Sequence, residues 1–220
     1  MTKRVSLFVT CVVDQLMPRA ALAMADVLTR VGYDVEFRPA QTCCGRSVYE
    51  MGCREQAQAA GAYCVDVFAG AGYVVTPSTA CAATLRKRLP EQGGPAAAEL
   101  AGRVWEFSRF LVEIARVEDV GARFEHPVVF QDAEGLNGGR RLLAQVKGLR
   151  LLPLPDWAGS GSFWGRSEPV SPALVDRIAE SGASHVVGME PERLLLLRGA
   201  FAKRDRGIEA LHLAEVLASR

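Results

Sequence analysis

Apolar and polar residues follow each other along the chain in a pattern that predicts alternating strands and helices. In the first half the predicted strands cover residues 4–10, 34–37 and 73–76. The predicted helices cover residues 15–31, 53–69, a segment opened by Cys81, and 96–116. Pro18 falls in the first turn of the first helix, where proline is tolerated, and Gly32 is suited to cap that helix at its C-terminus. Strands alternating with helices indicate a parallel sheet with right-handed crossovers.

The same order of elements is predicted a second time after residue 125. The strands cover residues 126–132, 149–154 and 185–188, and the helices cover 136–146, 171–181 and 192–203. We interpret this as an internal duplication with a boundary within residues 117–125. The predicted fold is therefore α/β, with two pseudo-symmetric repeats, residues 1–120 and 121–220, each a mostly parallel sheet flanked by helices.

Length and composition are those of a globular protein with a sizeable core. The chain has 220 residues, of which 49% are apolar and 23% charged, and its net charge is +1. This charge excludes the basic footprint expected of a nucleic-acid-binding protein. No apolar run approaches the ~20 residues of a membrane span, and the apolar start of the chain is too short for a signal peptide. Cysteines without an export signal predict a location in the reducing cytoplasm.

The candidate chemical centre is a set of four cysteines, Cys11, Cys43, Cys44 and Cys81. Each lies where a predicted strand gives way to a loop or a helix, so the connections of one parallel sheet could bring the thiols together. Four thiolates meet the ligand requirement of an iron–sulfur cluster, and the type expected is [4Fe–4S]. Gly45 gives the backbone the freedom to turn after the adjacent pair, and a helix N-terminus at Cys81 favours its thiolate.

Other interpretations of these cysteines stay open at this point. A four-sulfur zinc site satisfies the ligand count, although the spacing is too open for a zinc finger. Cys43 and Cys44 could form a redox disulfide, and buried thiols could simply pack in a core. The adjacent pair in a loop favours a metal, because a core rarely takes two neighbouring side chains of a loop. The second half has no cysteine and cannot repeat the chemistry.

Several other polar residues are expected to be structural. Cys53 and Cys64 lie on one predicted helix, and we expect both to pack within the helix layer rather than bind a metal. Arg46 and Tyr49 could shape the cysteine pocket, but a solvated loop position is the default expectation for both. The three histidines are His126, His185 and His212. We expect each to be a structural residue with its hydrogen bonds made within the protein, rather than a metal ligand.

Four segments of the chain resemble the CCG (cysteine-rich) domain family. They are Thr10-Cys11-Val12-Val13-Asp14, Gln41-Thr42-Cys43-Cys44-Gly45, Pro77-Ser78-Thr79-Ala80-Cys81 and His212-Leu213-Ala214-Glu215-Val216-Leu217. The resemblance covers nearly the whole chain, is most specific in the first half, and is greatest to the lactate-utilisation branch. Members of the family carry two such repeats and bind iron–sulfur clusters. They include the iron–sulfur subunit of glycolate oxidase and the corresponding cysteine-rich component of heterodisulfide reductase.

The resemblance implies an iron–sulfur electron-transfer subunit of an oxidoreductase complex that oxidises L-lactate or a similar 2-hydroxy acid. The implied cluster ligands are Cys11, Cys43, Cys44 and Cys81. The implied partners are the other subunits of the complex, a ferredoxin-like iron–sulfur protein and a third subunit. No flavin or nicotinamide fingerprint is visible, so an organic cofactor site is not expected. The alternatives are a non-redox scaffold or interaction protein with a partial or lost site, and a zinc or thiol-disulfide protein.

The chain departs from the family pattern in both repeats. In the first repeat, Ser78 stands where the first cysteine of a closing pair would be. In the second repeat, Glu134 stands at the position of the first cysteine, residues 159–162 cover the adjacent-cysteine loop, and residues 190–193 cover the closing cysteines. We therefore expect the second half to keep the fold and to hold no cluster.

Overall fold

Two parallel sheets form the framework of the protein. The structure is a computed structural model that describes residues 3–92, 94–131, 138–153 and 170–220. The strands of the first sheet are β1 (Lys3–Leu7), β2 (Tyr33–Phe37), β3 (Tyr73–Thr76) and β4 (Val104–Glu106). Those of the second sheet are β5 (Pro127–Gln131), β6 (Arg150–Leu152), β7 (His185–Gly188) and β8 (Glu209–His212). The strand orders are β2-β1-β3-β4 and β6-β5-β7-β8, which confirms the predicted α/β fold with two repeat-like halves.

Helices connect the strands and flank both sheets. In the first half they are α1 (Cys11–Leu16), α2 (Pro18–Arg30), α3 (Arg46–Glu50), α4 (Arg54–Val67), α5 (Thr79–Arg88), α6 (Pro95–Arg103) and α7 (Phe107–Arg109). A 3-10 turn covers Pro90–Gln92, and a π-helix covers Phe110–Ala115. In the second half they are α8 (Gly138–Ala144), α9 (Pro172–Glu180), α10 (Pro191–Ala202) and α11 (Leu213–Ala218). No described helix has both the length and the apolar character needed to cross a membrane.

The predicted helix over 96–116 is wrong, because strand β4 interrupts it. Helix α6 ends at Arg103, and the next three residues pair in parallel with β3, with Val104 opposite Val74. Pairing at the sheet edge buries Val104 and satisfies its backbone groups, which outweighs the helical spacing of the apolar residues around it. Strand β8 was not predicted either, because so short an edge strand displays too little alternation to be recognised.

Residues 4–10 and 15–31 also differ in detail from the prediction. Strand β1 ends at Leu7, and Thr10 then caps α1 by accepting from the Val13 N–H at 3.4 Å. The expected single helix is two helices, with a break at Met17, which has φ −139° and ψ 47°. Pro18 is the first residue of α2, as expected from its lack of an N–H group.

The two halves share one hydrophobic core, in which each half covers a helix of the other. A continuous cluster of buried side chains extends from Val5 through Phe110 to Leu217. Helix α11 packs against α2, and both α7 and the π-helix pack against α8. Arg30 of α2 donates to the carbonyls of Leu217 at 3.1 Å and Ala218 at 2.9 Å, which satisfies C-terminal groups of α11.

Candidate metal centre

The four candidate cysteines come together at one edge of the first sheet. Cys11 is the first residue of α1, Cys43 and Cys44 lie in the loop between β2 and α3, and Cys81 is the third residue of α5. Strands β1, β2 and β3 are parallel neighbours, so the connections that follow them leave the sheet at the same edge. The sequence prediction that these connections meet is therefore confirmed.

The four sulfur atoms form a continuous chain. Cys11 Sγ lies 3.8 Å from Cys43 Sγ, and Cys44 Sγ lies 3.2 Å from Cys81 Sγ. Cys43 and Cys44 are adjacent in the sequence, so the two pairs adjoin each other. All four are free thiols, and the separations are well beyond the ~2 Å of a disulfide bond.

Exposure decreases along this chain of thiols. Cys11 is exposed and Cys43 is half-buried, whereas Cys44 and Cys81 each retain 8% of their accessible surface. The inner pair belongs to a second, smaller hydrophobic core that also contains Phe68. One side of the site therefore faces solvent, and the other side is enclosed by apolar side chains.

Gly45 allows the loop to turn directly after the adjacent cysteines. Its φ is +79°, in the left-handed region, and a Cβ at this position would lie 3.3 Å from the carbonyl oxygen of Ala57. The Gly45 N–H also points back and donates to Cys43 Sγ at 3.4 Å. The glycine predicted from sequence to give the loop freedom thus also supplies a hydrogen bond to one of the thiols.

Ser78 orients Cys81 at the start of α5. Its hydroxyl accepts a hydrogen bond from the Cys81 N–H at 3.1 Å, which is the ordinary geometry of an N-cap. In this arrangement Ser78 caps the helix and fixes the backbone of Cys81 in its first turn. The serine at the position of the missing cysteine has a structural role of its own.

The thiols differ in their readiness to ionise. The pKa of Cys43 is held well below its usual range, chiefly because it accepts a hydrogen bond from the Cys11 thiol and then because of the neighbouring Cys44 thiol. The pKa values of Cys11 and Cys44 are raised, first by the interaction of each thiol with Cys43, and also because burial disfavours the charged form. By contrast, Cys64 lies outside this chain of thiols, and burial alone raises its pKa to about 12. Cys43 is therefore the first thiolate of the group.

Comparison with known proteins identifies the family. The cysteine-rich domain, CCG, matches residues 5–86, a segment that contains all four of these cysteines. Lactate utilization protein A of Geobacillus kaustophilus strain HTA426 is 36% identical over 238 aligned residues, which cover 99% of each chain. The chain belongs to the lactate utilization protein A family. Its relative of the same name in Bacillus pumilus strain SAFR-032 is 34% identical over 99% of this chain and 100% of that protein. The relative in Bacillus cereus strain B4264 is 32% identical over 99% of both chains.

In this member of the lactate utilization protein A family, Arg46 lies at the cysteine site in a partly enclosed position. Its side chain is 11% exposed, forms an ion pair with Glu192 of the second half, and lies 3.9 Å from Glu50. The expectation of a solvated loop position is therefore wrong for Arg46, because a counter-charge from the other half draws it inward. Tyr49 is also half-buried, with the Arg88 guanidinium over its ring.

Glu190 is a site residue that the sequence did not predict. It belongs to residues 190–193, which the family pattern assigns to closing cysteines that this chain lacks. Its carboxylate accepts hydrogen bonds from Ser78 Oγ at 2.8 Å and from the Ala80 N–H at 3.0 Å. Burial raises the pKa of Glu190 to about 7, against the opposing effect of these hydrogen bonds. No local pattern in the sequence signals this contact, because it joins residues of different halves.

His212 is a structural residue, as predicted, but its partner lies in the other half. Its Nδ1 accepts from the Ala214 N–H at 3.1 Å, so Nε2 carries the proton and donates to the Pro77 carbonyl at 2.8 Å. Burial lowers the pKa of His212 to about 4, which keeps the ring neutral. The rings of His126 and His185 lie 4.6 Å apart and both contact Phe124.

The prediction for the remaining two cysteines is correct for one of them. Cys64 is buried on α4, as expected. Cys53 is exposed, because α4 begins at Arg54 and leaves Cys53 as its N-cap rather than on its packed face. Glu134 and residues 159–162, which the family pattern relates to lost ligands, lie outside the described residues.

The donor set consists of thiols, which are soft ligands of the kind that bind iron–sulfur clusters or zinc. In the described parts of the chain, no group of three or more His, Cys, Asp or Glu side chains is arranged to hold a metal ion. The four thiols instead form two close pairs, which suits a centre whose ligands bind different metal atoms. A donor N–H at Cys43 and the enclosed inner pair supply the hydrogen bonding and solvent exclusion found around such centres.

Proposed function

We propose that this chain is an iron–sulfur subunit of an oxidoreductase that oxidises L-lactate or a similar 2-hydroxy acid. The observation that carries the proposal is the chain of four thiols at one sheet edge, inside the segment matched by the cysteine-rich domain. The names of the relatives supply the connection with lactate. The proposed cluster ligands are Cys11, Cys43, Cys44 and Cys81.

A cluster bound by these thiolates would accept and release electrons one at a time. Cys43 is the first thiolate, and the Gly45 N–H stabilises its charge. Arg46 adds a positive charge beside the site. Cys44 and Cys81 exclude water from the inner side, whereas the exposed Cys11 keeps the outer side within reach of a redox partner. These features support electron exchange with another protein.

The cysteine distribution also supports a single centre for each chain. Cysteines are confined to the first half, so the second half has no thiolate to offer a second cluster. Within the proposal, residues 1–120 form the repeat that binds the cluster and residues 121–220 form a repeat without ligands. The partners are a ferredoxin-like iron–sulfur protein and a third subunit, and free thiols suit the reducing cytoplasm.

Anaerobic reconstitution tests the proposal directly. The wild-type chain is expected to bind about four iron and four sulfide ions and to develop visible absorption. Cys44→Ser is expected to lose most of this iron, because it removes an enclosed thiol between two others. Cys53→Ser is the matched control, since Cys53 is an exposed cysteine outside the site, and it should retain the full iron content.

Two outcomes would contradict the proposal that the chain binds an iron–sulfur cluster. Stoichiometric zinc without sulfide would support the zinc alternative. Wild-type protein that stays free of metal after reconstitution would support a scaffold that keeps the fold without the chemistry. Equal iron loss from Cys44→Ser and Cys53→Ser would show that the iron is bound elsewhere.

A further inference from the structure

The loop that leads from β3 to Cys81 is held by the second half of the chain. His212 donates to the Pro77 carbonyl at 2.8 Å, at the start of this loop. Glu190 accepts from Ser78 Oγ at 2.8 Å and from the Ala80 N–H at 3.0 Å, close to its end. These three hydrogen bonds leave the loop little freedom to move relative to the second sheet.

Glu190 caps a helix that is not its own. It is the N-cap residue of α10, yet its side chain makes no capping bond to that helix. Its carboxylate instead satisfies the N–H of Ala80, the second residue of α5. Ser78, the N-cap residue of α5, donates to the same carboxylate. Because α5 follows the third strand of its sheet and α10 the third strand of the other, the N-caps of two corresponding helices meet across the two halves.

The nearby carboxylate of Glu192 contacts the loop between β2 and α3, which carries Cys44. It forms an ion pair with Arg46, which follows Gly45 at the start of α3. The first turn of α10 therefore contacts both loops that carry the enclosed thiols, through Glu190 on the Cys81 side and through Glu192 on the Cys44 side. The Sγ atoms of Cys44 and Cys81, which these two loops carry, lie 3.2 Å apart.

We propose that Glu190 is a positioning residue that fixes Cys81 against Cys44, so that the half without cysteines completes the cysteine site of the other half. A carboxyl group suits this role because its two oxygens accept from a hydroxyl and from a backbone N–H at once. The inference rests on the proposed function only where it treats the thiols as ligands. The placement of Cys81 can be measured without a metal.

Alkylation of the reduced, metal-free protein by iodoacetamide, followed by mass spectrometry of each cysteine, is the test. Glu190→Leu keeps a side chain of similar size but removes both acceptors, and it is expected to speed the labelling of Cys81 about tenfold. Glu190→Gln should label Cys81 close to the wild-type rate, because its amide can accept from the Ala80 N–H and donate to Ser78 Oγ. Cys64, buried on α4, is the internal reference and should not change.

Glu209→Leu is the matched control variant, since Glu209 is an exposed glutamate of the same half at β8. It should leave the labelling of every cysteine unchanged. The proposal is overturned if Glu190→Leu leaves Cys81 at the wild-type rate, if Cys64 accelerates as much as Cys81, or if Glu190→Gln behaves like Glu190→Leu. Failure of the wild-type chain to bind iron would refute the proposed function, while the labelling rates would still decide the role of Glu190.

Discussion

The two halves have the same framework but different chemistry at its edge. Both sheets are parallel, with their strands in corresponding order. The edge of the first sheet carries four thiols, whereas the loop after β7 carries Met189 and Glu190 at the place that corresponds to Pro77 and Ser78. The second half therefore has the same framework as the first, but it contains no cysteine.

The contacts between the two halves are reciprocal. Glu106 and His212 each end the fourth strand of a sheet and cap the helix that follows it. His212 contacts the loop after β3, and Ser108 Oγ, next to Glu106, lies 3.1 Å from Met189 Sδ in the loop after β7. Each half therefore supports the other at the edge where the cysteines lie. Three predictions test how far this mutual support extends.

The largest loss of stability is expected from Phe110→Ala. Phe110 is fully buried in the shared core and makes edge-to-face contacts with Tyr33 at 5.0 Å and Tyr73 at 5.4 Å. Its removal should lower the free energy of unfolding of the whole chain by about 3–5 kcal/mol in a single urea transition. Phe37→Ala, at a side chain that is 52% exposed, should cost less than about 1 kcal/mol. Two separate transitions would show that the halves fold independently.

A smaller effect on stability is expected from a change of pH, because His212 binds a proton less readily in the folded chain. Its pKa falls from 6.5 to about 4 on folding, so between these values the unfolded chain binds a proton that the folded chain does not. Stability should therefore decrease as the pH falls through this window, by up to about 3 kcal/mol. His212→Asn should remove this dependence, as measured by urea unfolding at several pH values.

Glu190 must be considered in the same pH experiment. Its pKa rises from 4.5 to about 7 on folding, so its contribution to stability is present at low pH and is lost as the pH rises through that range. The two residues therefore act in opposite directions in an overlapping window. The difference between wild type and His212→Asn isolates the histidine, and an identical pH dependence in both proteins would contradict its assigned role.

The smallest loss of stability is expected from substitutions that remove helix caps. Ser171→Ala removes the capping bond to the Leu174 N–H, at 3.3 Å, and should cost about 1 kcal/mol. Ser78→Ala removes the corresponding bond to Cys81 and also the bond to Glu190, and should cost about 2 kcal/mol. Equal losses in thermal or urea unfolding would mean that the contact with Glu190 adds no stability.

Strong local patterns were sufficient to predict the central strands and most helices. Residues 73–76 and 185–188 were predicted with the bounds of β3 and β7, because short β-branched segments between turn residues are distinctive. The edge strands β4 and β8 were missed, since their strand conformation depends on a neighbouring strand that only the folded chain supplies. Cys53 was misplaced for a similar reason, because a shift of one residue at a helix start moves a side chain from the packed face to solvent.

The sequence by itself determined the α/β alternation, the two repeat-like halves and the places of the four thiols at the ends of strands, because each depends on residues close together in the chain or on a family pattern. Tertiary structure alone decided which thiols are enclosed and which residues hold them. The contact between Ser78 and Glu190 joins positions 112 residues apart, and it exists only because two similar sheets dock with their corresponding edges together. Such a contact leaves no periodicity in the sequence, since its geometry is set by the packing of whole helices and sheets.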